Sequence, residues 1–263
     1  MGANCERRLT DGRTVVLGPA VPDDVPAIAR LYLELSPESF YRRFYSRSPA
    51  AALLAQFASI GSGTVCIVAS PRADPDRLAA EARYVPISSG TAELALTVRD
   101  DYQGAGMGRL MLDALVERAR QDRLERLRAV ILLRNTPMLR LLQRYGWVLA
   151  APTEDFSVAC LEISAAGGMP GWPAESAGHR VLVERRDWFD DEQVAALRSA
   201  GKDVRQCTGP RRQAGRACLL VASGQCRLAE EADLIVSLLP DDEPDCAAVL
   251  AAHRQRWPHR LAE

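Results

Sequence analysis

AELALTVRDDYQGAGMGR, residues Ala92 to Arg109, reads as a short alternating strand, a polar turn and a glycine-rich corner that opens into an amphipathic helix. Leu94, Leu96 and Val98 share one face of the strand, which leaves Glu93, Ala95 and Thr97 on the other, because strand side chains alternate. The corner Gln103-Gly104-Ala105-Gly106-Met107-Gly108 then presents backbone N–H groups at a helix N-terminus. Glycine lets that backbone approach a ligand with no Cβ in the way, and the helix dipole favours a negative charge there. The pattern suits a diphosphate, although a tight strand-to-helix turn also uses glycine for steric reasons alone. Two nucleotide motifs fail on spacing. No G-x-x-x-x-G-K-[ST] occurs, Lys202 being the only lysine, and the third glycine of GAGMGR arrives one residue too early for G-x-G-x-x-G. What remains is Q-x-x-G-x-G, written Gln103, Gly106 and Gly108.

Around this core the chain repeats no known phosphate loop, but it does follow a recognisable succession. After the helix come Leu127-Arg-Ala-Val-Ile-Leu-Leu133, then Asn135-Thr-Pro-Met138 and Leu142-Gln-Arg-Tyr-Gly-Trp147. Before it stand Asp11-Gly12, Thr14-Val-Val-Leu17, a helix from Asp23, and Leu35-Ser-Pro-Glu-Ser-Phe-Tyr-Arg-Arg-Phe44. This succession resembles the GNAT superfamily of N-acetyltransferases over roughly residues 10 to 163, and LSPESFYRRF is similar to the branch that acetylates protein lysines in bacteria. The remainder of the chain shows no such resemblance.

The resemblance implies acetyl-CoA as cosubstrate, no metal, and direct transfer to a primary amine within a ternary complex. It implies that the backbone from Gly104 through Ala105, Gly106, Met107, Gly108 and Arg109 holds the pyrophosphate, with Gln103 at the head of the motif. Val98 would pair with pantetheine as a strand does, and Asn135 would touch the cofactor from the next strand's end. A lysine ammonium with a pKa of about 10.4 is protonated at neutral pH, so the chain must either lower that pKa by desolvation or supply a base. His179, His253 and His259 all lie beyond the expected first domain, so a strand carboxylate is the candidate base, and the resemblance gives that role to Glu93, which matches the family's glutamate. The alternative is that Glu93 merely pairs with a neighbouring arginine such as Arg83. The family's acid is a tyrosine four residues before the glycine of a Gly-Phe motif. Here that position is Leu142, the Phe is Trp147, and Tyr145 is out of register. A protein lysine is thus one acceptor, a small-molecule amine another, and a non-catalytic acyl-CoA-binding sensor is the reading that Leu142 supports.

Composition bounds the rest. With 263 residues the chain accommodates one large or two modest domains, each with its own core. A net charge of −1 gives no overall field toward nucleic acid or an anionic membrane. Apolar runs such as Cys218 to Ala222 are far too short to span a bilayer, and MGANCERRLT lacks the apolar centre of a signal peptide. Met1-Gly2 is no myristoylation signal, because Glu6 sits where Ser or Thr is needed. Seven cysteines, an odd number, fit reduced thiols in a bacterial cytoplasm.

The expected fold class is α/β. A GNAT-type mixed central sheet flanked by helices, ordered β-α-α-β-β-β-α-β-α-β-β, fills residues 1–163, with a helix from Ser48-Pro49 and a closing strand from Phe156 to Ile163. Residues 164–178, with four glycines and two prolines, read as a flexible linker containing an unexplained Trp172. Residues 179–263 read as a smaller α/β domain with a regulatory role. Its strands are Arg180–Glu184, Asp203–Cys207, Ala217–Ala222 and Asp233–Leu239, and its helices Asp191–Ala200 and Asp245–Arg256, like half of a doubly wound parallel sheet. The basic loop Gly209–Arg216 is either a solvated loop or the place where a small-molecule effector binds, by analogy with parallel sheets. Cys207, Cys218, Cys226 and Cys246 lack C-x-x-C spacing, so no zinc site is expected.

Overall fold

The structure is a computed structural model, and it describes residues 4–46, 60–132, 134–143, 145, 147–151, 158–165, 171–172, 174–184, 192–207, 226–238 and 244–262. By packing the chain forms two compact units, Met1–Ala129 and Val130–Glu263.

In the first unit, β1 (Cys5–Arg8), β2 (Thr14–Pro19), β3 (Val65–Pro71), β4 (Ala80–Ser88) and β5 (Thr91–Val98) form an antiparallel meander in chain order. β6 (Arg126–Leu132) then runs parallel to β5. On one face lie α1 (Val25–Leu33) and α2 (Pro37–Phe44), packed through Ile28, Leu31, Tyr32, Leu35 and Phe40. α2 follows from its termini. Pro37 sits in the first turn, where its missing N–H costs nothing, and the Ser36 hydroxyl accepts from the Ser39 amide at 3.2 Å. α3 (Met107–Gln121) buries Met107, Met111, Leu112, Leu115, Val116 and Ala119, the inward stripe its sequence period requires.

In the second unit, β7 (Trp147–Ala151) pairs antiparallel with β8 (Val158–Ser164) and with β10 (Asp203–Cys207). β9 (Arg180–Glu184), β10, β11 (Leu234–Ser237) and β12 (Leu261–Ala262) are mutually parallel in the order β10-β9-β11-β12. The helices are α4 (Thr136–Gln143), α5 (Glu192–Ser199), α6 (Arg227–Glu231) and α7 (Pro244–Arg256). Trp172 is an anchor. Its ring is buried against Leu182, Leu228 and Trp257, and its Nε1–H donates to the Leu228 carbonyl at 2.8 Å.

The fold class is the expected one, a mixed α/β sheet flanked by helices followed by a smaller α/β arrangement. The helix expected from Ser48, the strand at Ala217–Ala222 and the loop Gly209–Arg216 lie outside the described residues. α2 falls before the place where a second helix was expected. β1, α6 and β12 were not foreseen; at four, five and two residues they are too short to display a period. Among the described residues no helix is long and apolar enough to cross a membrane.

Candidate active site

β5 separates two environments. Leu94, Leu96 and Val98 face α3, while Thr97, Ala95 and Glu93 lie abreast of Glu81, Arg83 and Val85 in β4, on the side of α1 and α2. Glu93 is exposed and, among the described residues, makes no hydrogen bond or ion pair. Arg83, the arginine weighed as its partner, forms its buried ion pair with Glu81 instead. Val85, directly opposite Glu93, and Ile87 are 42% and 44% exposed, so the free carboxylate stands beside an apolar rim.

Glu81 is the centre of a buried cluster. It is fully buried and takes hydrogen bonds from Tyr32 Oη at 3.2 Å and Cys66 Sγ at 3.5 Å besides its Arg83 pair. Burial, reinforced by the Glu81 charge, pushes the Tyr32 hydroxyl and the Cys66 thiol well above their usual ranges, so both stay neutral.

The β5–β6 ladder consists of Thr91, Ala92 and Glu93 against Arg126, Leu127 and Arg128. Toward Val98 the strand is paired, among the described residues, with β4 alone. The chain then turns through Asp100–Tyr102 into the glycine corner, where Gly104 and Gly106 have φ of +74° and +85°. Those left-handed conformations are open to glycine at little cost. The amide N–H groups of residues 104–109 donate to no acceptor among the described residues, whereas Leu110 N–H already bonds the Gly106 carbonyl at 3.1 Å. Six amides without an acceptor among the described residues thus lie at and just before the positive end of a 15-residue helix. The corner is braced from behind, with Thr10 N–H donating to the Ala105 carbonyl at 3.1 Å. Arg13 stacks 3.8 Å over the Tyr102 ring and bonds the Asp101 carbonyl.

The other expected site residues are distributed as follows. Gln103 donates its side-chain amide to the Val98 carbonyl and to Ser39 Oγ, each at 3.1 Å. Val98 therefore has its carbonyl engaged by the protein. Met107 is buried, Gly108 is half-buried, and Arg109 is exposed and pairs with Asp113 at 3.5 Å. Asn135, in the second unit, caps α4, its Oδ1 accepting from the Met138 amide at 3.4 Å. Leu142 is fully buried, so the position of the family's tyrosine is filled by core. Among the described residues no group of His, Cys, Asp and Glu could hold a metal; Cys207 and Cys226 are buried free thiols.

Sequence reasoning missed the cluster that ties α2 to the corner. The Asp100 carboxylate accepts from the Ser36 amide, the Ser36 hydroxyl and the Ser39 hydroxyl at 2.9, 2.8 and 2.6 Å. Partial burial raises its acidity constant's pKa, but those hydrogen bonds outweigh burial and hold the carboxyl below the usual range. Farther along α2, Arg43 donates to Thr97 Oγ1 on β5 at 3.1 Å. The signal was present in Ser36-x-x-Ser39 followed distantly by Asp100, a separation that no local period reveals.

A family model described as an acetyltransferase (GNAT) domain matches residues 14–148. Acetyltransferase Pat of Mycolicibacterium smegmatis is 32% identical over 157 residues, covering 58% of this chain and 46% of that protein, so the match spans about half the relative's length. The crystal structure of the GNAT domain of S. lividans PAT is similar with a TM-score of 0.53 and 25% identity, over 61% of this chain and 96% of that one.

Proposed function

We propose that this chain, which belongs to the acetyltransferase (GNAT) family, is an acyl-CoA-dependent N-acetyltransferase that moves an acetyl group from acetyl-CoA to a protein lysine with Glu93 as general base. The observation that carries this reading is the set of unsatisfied amides from Gly104 to Arg109 at the start of α3. A diphosphate supplies the acceptors and the negative charge that such a helix end stabilises.

Acetyl-CoA supplies the activated acyl group as a thioester. The chain's own contribution is to bind and orient it and to manage one proton. The amides of the corner hold the pyrophosphate, the edge of β5 aligns the pantetheine, and Gln103 fixes the end of that strand through Val98. Glu93, free of ion pairs, accepts the proton of the acceptor ammonium, so that the neutral amine attacks the acyl carbon. Val85 and Ile87 offer apolar contact for the methylenes of a lysine stem, and the LSPESFYRRF string of α2 supports a protein acceptor over a small amine. With Leu142 in the core, no tyrosine protonates the leaving thiolate from that position. A thiol with a pKa of about 8.5, as for cysteine, leaves without such help.

Leu142 also favours a second reading, a sensor that binds acyl-CoA without turnover. Radiolabelled acetyl-CoA incubated with a cell lysate and, separately, with a panel of amines distinguishes them. Label in protein supports the proposal, label only in a small amine assigns the other acceptor class, and binding without label anywhere makes the chain a sensor. On this reading residues 1–163 carry the chemistry, 164–178 connect, and 179–263 regulate or target.

A further inference from the structure

The second unit holds an arrangement that acetyl transfer leaves unused. The chain runs from β9 to β10 on one side, then crosses back to β11 on the other side of β9. Val194 and Leu197 of α5 pack on the face of Val181, Val183 and Val204. Leu228 and Ala229 of α6 pack on the opposite face with Leu182 and Ile235. Strand order therefore reverses between β9 and β11, with helices on both faces. In open α/β sheets the loops diverge at such a switch point, and the crevice outside the carboxyl ends of the two strands is where ligands bind.

Glu184 and Ser237 end these two strands directly abreast of each other. Glu184 is 4% exposed and bonds His253 Nε2 of α7 through Oε1 at 3.0 Å; His253 is fully buried. Glu184 Oε2, Ser237 Oγ and His253 Nδ1 are all buried with no hydrogen-bond partner among the described residues. A buried polar atom left without its bond is costly, more so when the group is charged, so three such atoms on residues joined by strand register and by a hydrogen bond call for an occupant. A carboxylate only accepts, so Nε2 carries the shared proton, and in the neutral tautomer Nδ1 is an acceptor. Two acceptors and a hydroxyl match a ligand that brings donors, and the carboxylate disfavours a phosphate or another anion. The Trp257 ring, 5.3 Å from that of His253, supplies an apolar wall.

We propose that the carboxyl ends of β9 and β11 form a binding site for a neutral small molecule with vicinal hydroxyls, the ribose of a nucleoside being the type, held by Glu184, Ser237 and His253. A trapped water is the competing occupant.

Calorimetry on the full chain with adenosine and with ribose, using 2′,3′-dideoxyadenosine as the matched control, tests this. Saturable adenosine binding is expected, weakened at least about tenfold when the two hydroxyls are absent and by a similar factor in Glu184→Gln. Ser237→Ala should weaken it by roughly threefold or more, and it decides the matter should Glu184→Gln fail to fold. Gly106→Glu, at the acetyl-CoA corner, should leave adenosine binding unchanged, which separates this site from the transferase site. The proposal is overturned by no saturable binding of either probe, by equal binding of the dideoxy control, by unaltered affinity in the variants, or by loss of binding in Gly106→Glu.

Discussion

Asp100 caps a helix to which it does not belong: Ser36 gives it both its backbone N–H, at 2.9 Å, and its hydroxyl, at 2.8 Å. The start of α2 is thereby fastened to the turn that leads into the glycine corner. Gln103 extends the link by bonding Ser39 Oγ and the Val98 carbonyl together. Asp100→Ala should therefore raise KM for acetyl-CoA, by about tenfold for the loss of charge-assisted hydrogen bonds. Ser39→Ala, which removes fewer of these bonds, should give a smaller increase. Steady-state kinetics with acetyl-CoA as the varied substrate measure both, and an unchanged KM in Asp100→Ala would show that the fastening does not reach the corner.

The same carboxylate sets part of the acid sensitivity. Asp100 and Asp101 are held below the usual carboxylate range, Asp101 chiefly by its hydrogen bonds to Arg99 and Asp100 by bonds that outweigh burial. A depressed folded-state pKa means the stabilisation is present above the unfolded value of about 3.9 and disappears as pH falls through the folded value. Resistance to urea should accordingly fall below about pH 4, and Asp100→Asn should flatten that dependence. An identical pH slope in the variant would remove Asp100 from the account.

For the proton transfer, Glu93→Gln should lower turnover roughly 10²- to 10⁴-fold near neutral pH while acetyl-CoA affinity stays within a few-fold. Raising the pH toward the lysine value of about 10.4 should restore much of the loss, because free amine then exists without a base. Normal turnover at pH 7 in this variant eliminates Glu93 as the base.

Gly106→Glu should abolish acetyl-CoA binding, since it sets an anion where the pyrophosphate is expected. A positive φ of +85° makes any side chain there somewhat strained, with the nearest obstacle, Thr10 Cγ2, 3.5 Å from an added Cβ. Gly106→Ala is the matched control, expected to lose some thermal stability but to keep binding within about tenfold. Calorimetry showing the two variants alike would mean that charge at the corner is irrelevant.

Much of this architecture was visible in the sequence because it is written in short periods. The alternation of Leu94, Leu96 and Val98 and the helical stripe from Met107 to Ala119 placed β5 and α3, and the glycines between them placed the corner. Glu93 was assigned its face correctly by alternation alone. What escaped notice depends on contacts between distant segments. Nothing near Asp100 announces Ser36, 64 residues away, and nothing near Glu184 announces His253, 69 residues away. Trp172 reads as a packing residue within the linker, but its partners, Leu182, Leu228 and Trp257, come later in the chain and cannot be named from it.

Autoacetylation has a single side-chain target. Lys202 is the only lysine, and it sits half-buried just after Gly201, which ends α5 with φ of +77°. Mass spectrometry after incubation with acetyl-CoA should find modification only there or at the α-amine. Label at any other residue would point to a nucleophile outside the proposed chemistry.

The short β5–β6 ladder has a consequence for the protein without its cosubstrate. Past Glu93 the strand presents a side to which β4 does not bond, and such a border is a template for adventitious pairing with other chains. On the proposed reading pantetheine lies along that border as a surrogate strand. Acetyl-CoA then acts as a folding partner as well as a reagent, and at 100 times its dissociation constant it adds about 2.7 kcal/mol to the folded state by mass action. Depletion of the metabolite would thus thin the population of intact enzyme as well as starve it, so that solubility and acetylating capacity fall together.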